Sequence, residues 1–147
     1  MGTGGSSSRS SAAAVEFRDL LDGVLAETDA DDQAGPILRA AGLRVRFDFP
    51  DLDLVLNVAA TEDGDHHLYW GFSDDLDWQP KLTLTMDSAV ANAYLQGKES
   101  LAIAIARGRV RASGDTHAAL FYIPALRLLV AAYCRLVTQE HPNLVLE

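Results

Sequence analysis

LAIAIARGRVRASGD (Leu101–Asp115) decides the fold. Its first half alternates Leu, Ala, Ile, Ala, Ile, Ala, which fits a strand. It also sets Leu101 four residues before Ile105, which fits a helix. Periodicity leaves the two open, and residue type separates them. The alternating residues are alanines, which favour helix over strand. Ser100 is a good N-cap, and Gly108 suits the position after a helix end, where positive φ is wanted. The expected helix is Leu101–Arg107. Beyond it, Arg109-Val110-Arg111-Ala112-Ser113 puts Val110 and Ala112 on one face and the arginines on the other. Gly114 turns the chain and Asp115 caps a last helix. The order is helix, stop, strand, turn, helix: a sheet covered by helices, not two stacked sheets.

The same rules work outward. Val15, Leu20 (or Phe17), Leu21, Val24 and Leu25 form a helical stripe over about Ala13–Glu27. Asp31 or Asp32 can cap a second helix, with Pro36 early in it and Gly42 as its stop. Arg44–Phe49 alternates as a half-buried strand, with Val45, Phe47 and Phe49 inward. Pro50-Asp51 breaks it, and Leu54–Ala59 reads as a more buried strand. Glu62-Asp-Gly-Asp65 signals a hairpin turn into His67–Phe72. Lys81–Met86 turns Leu82, Leu84 and Met86 inward. Asp87 or Ser88 caps a helix over Ala89–Gln96, which Gly97 ends. Strands with one polar face, covered elsewhere by helices, make a two-layer α+β domain.

Composition bounds the function. The chain has 147 residues, 48% of them hydrophobic, enough for one real core; residues 1–12 read as a flexible Gly/Ser tail and 13–147 as a single domain. The net charge of −9 argues against nucleic acid as a partner. It divides into −10 over residues 1–75 (15 acids, 5 bases) and +1 over 76–147 (6 acids, 7 bases). Arg107, Arg109 and Arg111 form only a short basic cluster. The lone Cys134 allows no internal disulfide and, with no recognisable leader, points to a cytoplasmic setting. The most apolar run, Ala118–Val137, is interrupted by Pro124, Arg127 and Arg135, so no membrane span is expected.

Gly97-Lys98, nine residues, Gly108-Arg109, a hydrophobic-x-hydrophobic pair and Gly114-Asp115, set between helices and strands, resemble the signature of sterol-carrier-protein-2-like domains. The similarity runs over roughly Val15–Val137, although the short helix here starts more apolar than is usual there. The resemblance implies a five-stranded, mostly antiparallel sheet covered on one face by helices, with a lipid tunnel between the layers.

The last helix carries more apolar side chains than one sheet contact needs, and Pro124 is expected to break it near Phe121–Ile123. A gate over a pocket, a buried helix and a dimer interface all fit that pattern. Trp70, Phe72, Leu84, Met86, Leu95, Ile103, Phe121, Leu126 and Val130 are the candidate pocket lining, with plain core as the alternative for each. The expected partner is an apolar small molecule of fatty acyl, sterol-like or polyketide-like type, carried or presented to a membrane or enzyme. The alternatives are an enzyme that folds or cyclises such a substrate, and a dimerisation module.

No cofactor, metal or catalytic residue is expected. His66 and His67 are adjacent on a strand, so they point apart and ligate one ion poorly. Asp115 and His117 could make an acid–base pair, but an N-cap accounts for Asp115. Cys134 lacks a base and reads as a buried thiol. Trp78 could be a pocket lip or a loop anchor. No nucleophile elbow, phosphate loop or dinucleotide fingerprint is present.

Overall fold

The computed structural model describes residues 2–61, 64–72 and 79–146. Helix α1 (Gly2–Ala30) and α2 (Ala34–Ala40) lead into a hairpin of β1 (Arg44–Phe49) and β2 (Leu54–Ala60), then β3 (Leu68–Gly71) and β4 (Leu82–Met86). Helices α3 (Ser88–Leu95) and α4 (Leu101–Ala106) precede β5 (Val110–Gly114). Helix α5 (Thr116–Leu126) passes through a 3-10 turn (Arg127–Leu129) into α6 (Val130–Glu140). The opening stretch thus resolves as the caps require. Ser100 Oγ accepts the Ile103 N–H at 3.3 Å. At the other end Gly108 (φ 78°) lets its own N–H reach Ile105 O, and the Arg109 N–H reach Ala104 O, closing the last turn.

The sheet order is β3-β2-β1-β4-β5. β1 pairs antiparallel with β2 and parallel with β4, while β2–β3 and β4–β5 are antiparallel. The sheet is therefore mixed and mostly antiparallel. Val45, Phe47 and Phe49 are buried with Leu82, Leu84 and Met86 on the inner face; Arg46, Asp48, Thr83 and Thr85 lie on the outer face, half-buried. Helix α1 packs against α6 and α2, and α3 against α6. The edge of Gly114 is tight: a Cβ there would stand 2.5 Å from Lys81 O, and the following Asp115 N–H bonds that same oxygen at 2.7 Å.

Several expectations need correction. Along α1 Phe17 is buried, while Val15, expected in the apolar stripe, is exposed. Ala112, expected inward, is exposed although it pairs with buried Leu84; it lies on the edge strand β5. Pro124 does not break the helix at Phe121–Ile123: α5 continues to Leu126. Pro124 and Leu120 both lie on the solvent side, so the Leu120 carbonyl that loses its N–H partner can be taken up by water. The change to 3-10 geometry comes after it and keeps one face in register, since Ala118, Tyr122, Leu126, Leu129, Tyr133 and Val137 are all buried.

By length and composition alone His117–Glu140, 24 residues, could cross a membrane, despite the charges that argued otherwise. Core helices pass the same test, and here one face of the run is packed inside the domain.

One cap comes from afar. Asp87 holds the N-cap backbone position of α3 but makes no side-chain cap bond. Asp51 supplies the carboxylate instead, accepting the Ser88 N–H at 2.9 Å and the Ser88 hydroxyl at 2.6 Å. The α2 end is local, with Asp31 Oδ1 accepting the Gln33 and Ala34 N–H groups at 2.8 Å each.

Candidate functional site

Strand alternation aims Phe47, Phe49, Leu56, Val58 and Met86 at the helices. Helix α1 meets them with Leu21, Val24 and Leu25; α3 with Ala91, Tyr94 and Leu95; and the α5–α6 segment with Leu126 and Leu129. Together they enclose a cavity of ≈ 30 Å³. A buried water needs roughly 10–15 Å³ of such space, so this cavity has room for about two waters and is far short of a twelve-carbon chain. The two layers are in near-complete contact, and the roomy void expected from the sequence is almost closed.

Of the nine residues singled out in the sequence, Met86, Leu95 and Leu126 line this cavity. Leu84 is fully buried but does not line it. Val130 lines a separate surface cleft. Trp70 and Phe72 sit at the β3 edge, tied to α1: Trp70 Nε1 donates to Asp22 at 2.8 Å, and the Arg18 guanidinium lies 5.2 Å from the Phe72 ring centre. Ile103 and Phe121 are 50% and 60% exposed and lie outside this cavity; Phe121 lines an open surface cleft with Ile37 and Leu128. Phe121 lost its place to Tyr122, whose hydroxyl donates to Gly42 O at 2.8 Å and anchors the buried face of α5. Trp78 lies outside the described residues.

The lining residues the sequence reading missed on the strands carry the inward parity already read there. Tyr94 is the instructive omission. It is only 7% exposed, and its hydroxyl oxygen is shielded and has no hydrogen-bond partner among the described residues. The other buried tyrosines are paired: Tyr122 as above, and Tyr133 through Asn92 Oδ1 at 2.6 Å. A buried unpaired hydroxyl costs about 1–3 kcal/mol and calls for an explanation. Burial pushes the Tyr94 phenol up to about 12, against the opposing pull of the Arg127 charge. It remains a protonated donor throughout the neutral range.

Tyr94 also lines a second, open space. A surface cleft of ≈ 790 Å³ runs between Gly97–Ala102 and Ile123–Ala131, with Tyr94 as a wall shared with the cavity. Lys98, Glu99 and Arg127 stand in it. Glu99 is ion-paired with Arg109. Neither Lys98 nor Arg127 has an acidic partner among the described residues.

The remaining polar cluster knits α1 to β3. Asp29 Oδ1 accepts the His67 and Leu68 N–H groups at 2.6 and 2.9 Å, and Oδ2 meets His66 Nδ1 at 2.7 Å. Burial pushes the Asp29 carboxyl up, but these hydrogen bonds and the His66 charge outweigh it and hold it below 3.8. The same bond with Asp29 raises His66 above 6.5. His66 is thus tied to Asp29, and among the described residues no three His, Cys, Asp or Glu side chains gather to hold a metal. Asp115 Oδ1 accepts the His117 and Ala118 N–H groups, so the carboxylate acts as the α5 cap. The Cys134 thiol contacts Leu95 O at 3.7 Å.

No protein-family profile matches the chain, and no curated protein sequence matches it either. Solved structures do. A sterol carrier protein 2 crystal structure superposes with a TM-score of 0.55 at 12% identity, over 79% of this chain and 94% of that one. UbiJ-SCP2, a ubiquinone synthesis protein, gives 0.52 at 15% identity, over 80% and 90%. The sec-alkylsulfatase Pisa1 from Pseudomonas sp. gives 0.51 at 15% identity over 62% of this chain, which spans only 14% of that enzyme's length. Sheet order, mixed pairing, the three glycine turns and these superpositions agree: the chain is built on the sterol carrier protein 2-like fold.

Proposed function

We propose that the protein binds an apolar small molecule, of fatty acyl, sterol-like or polyketide-like type, between its sheet and its helices, and carries or presents it. The observation that carries this reading is the seam around the cavity. Thirteen side chains meet there from six elements and one turn, and all but the Tyr94 hydroxyl are apolar. The names of two proteins of the same fold, a sterol carrier and a ubiquinone synthesis protein, also refer to apolar molecules, which supports it.

The mechanism is partition. Each methylene moved from water to a dry site gains about 0.8 kcal/mol, so a twelve-carbon chain gains on the order of 10 kcal/mol before binding costs. The present cavity is too small for that chain, so the walls must part. The segment suited to move is the 3-10 turn Arg127–Leu129, because it breaks the helical hydrogen-bonding pattern and brings Leu126 and Leu129 to the cavity wall. Asp115, His117 and Arg107 do not line the cavity, so the enzyme alternative gains no support from that wall.

Native mass spectrometry of freshly purified protein, followed by titration with a fluorescent twelve-carbon fatty acid, tests the reading. A co-purifying adduct of lipid mass, or saturable micromolar binding, is expected. A bare mass together with no saturable binding overturns it.

A further inference from the structure

Building on the binding reading above, we infer that the cleft between Gly97–Ala102 and Ile123–Ala131 holds the anionic head of a single-chain amphiphile, whose tail enters the seam behind Tyr94. Three independent observations meet at this place. Tyr94 lines both cleft and cavity, and its hydroxyl is buried without a partner among the described residues. An oxyanion arriving there would accept that hydroxyl's hydrogen bond. Lys98 and Arg127 put two cations, with no acidic partner among the described residues, in one cleft of a chain whose net charge is −9. The one acid lining the same cleft, Glu99, is engaged by Arg109.

The third observation is connectivity. Arg127 opens the 3-10 turn that ends with Leu129, so one short segment touches the cleft at its start and the cavity at its end. A displacement of that turn joins the two spaces. The cleft is also mixed in the sense an amphiphile requires: Ile123, Pro124 and Val130 flank the charged positions. The protonated phenol donates, and the two cations supply charge. A carboxylate, phosphate or sulfate head shares the required chemistry, and the tail alone does not.

Isothermal titration of the full chain with laurate, dodecyl phosphate and dodecanol tests this. The proteins are the wild type, Tyr94→Phe and the double variant Lys98→Gln/Arg127→Gln. Laurate and dodecyl phosphate are expected to bind wild type about tenfold more tightly than dodecanol at low salt, with the advantage shrinking as salt rises. Tyr94→Phe should weaken laurate about tenfold through the lost charge-assisted bond, yet raise the melting temperature of the ligand-free protein by a few degrees. The double variant should lose the anion preference and its salt dependence while keeping dodecanol within about twofold. Equal binding of all three probes, unchanged in the variants, overturns the head site and leaves the apolar seam standing. Binding of none of them to wild type removes the seam itself.

Discussion

Replacing Leu126 with alanine probes the seam most directly. Leu126 is 1% exposed and lines the ≈ 30 Å³ cavity at the end of α5. Its removal deletes three buried carbons next to space that is already empty, where the neighbours can relax only in part. Leucine-to-alanine changes at such sites cost 2–5 kcal/mol, and about 3 kcal/mol is expected here. At roughly 2.1 cal/mol/K per residue over 147 residues, the unfolding entropy is about 0.3 kcal/mol/K, so the melting temperature should fall by about 10 °C. The variant also carries room that the wild type must open. If ligand filling recovers half of the lost 3 kcal/mol, affinity for a medium-chain fatty acid rises about tenfold. At a ligand concentration of 100 times Kd, binding returns about 2.7 kcal/mol, nearly the whole loss in melting temperature. Differential scanning calorimetry with and without laurate measures both effects. A full loss of stability with no recovery on adding ligand would show that the enlarged space is plain core, and the reasoning would be refuted.

Three further outcomes are expected. Gly114→Ala forces a Cβ to 2.5 Å from the Lys81 carbonyl at a φ of +108°, so the β4–β5 edge must shift and about 3 kcal/mol or more is lost in urea denaturation; a loss under about 1 kcal/mol contradicts this. Asp51→Ala removes the remote α3 cap and costs about 1 kcal/mol, whereas Asp87→Ala at the formal N-cap costs much less; the reverse order in urea midpoints would place the cap wrongly. The Asp29–His66 bond makes stability pH-dependent on both sides. With His66 raised above 6.5, its contribution is complete below that value and is lost as pH climbs through the folded pKa. With Asp29 held below 3.8, its contribution is complete above that value and is lost as pH falls through the folded pKa. Urea midpoints from pH 3 to 9 should show the bond's full contribution between these limits, and in Asp29→Asn both flanks should flatten; an unchanged slope above pH 6.5 would exclude the bond as the cause.

The layers were legible in the sequence because alternation is local. Val45, Phe47, Phe49, Leu82, Leu84 and Met86 point inward by parity alone, and Ser100 and Asp115 sit where caps must be. What remained hidden is whatever depends on two distant segments meeting. Asp51 reaches Ser88 across 37 residues, and Asp29 reaches Leu68 across 39, with nothing nearby to announce either. The final helix shows the same limit in another form. Phe121 and Tyr122 are both large and apolar enough to be buried, and the choice fell to the residue whose hydroxyl could find the Gly42 carbonyl. Tyr94 was overlooked because a tyrosine beside Leu95 on a helix is ordinary, and only the packed structure reveals that its hydroxyl has no partner.

Parity says which residues face the helices but not how closely the two layers meet, and the near-closure of the seam has an energetic reason. Ligand pockets usually hold at least about 300 Å³. Left empty and dry, a cavity of that size costs about 7 kcal/mol at roughly 24 cal/mol per Å³, which rivals the entire stability of a domain, commonly 5–15 kcal/mol. A domain with an all-apolar seam is therefore more stable collapsed when unoccupied, and the ≈ 30 Å³ that remains is what its side chains cannot fill. Collapse moves the cost of opening onto the ligand. On the proposed reading, a long tail would meet that cost through the methylenes it buries, while the Tyr94 hydroxyl, without a partner among the described residues, and the two cations lining the same cleft would offer a separate gain at the head. A tail too short to hold the layers apart would obtain only the second of these.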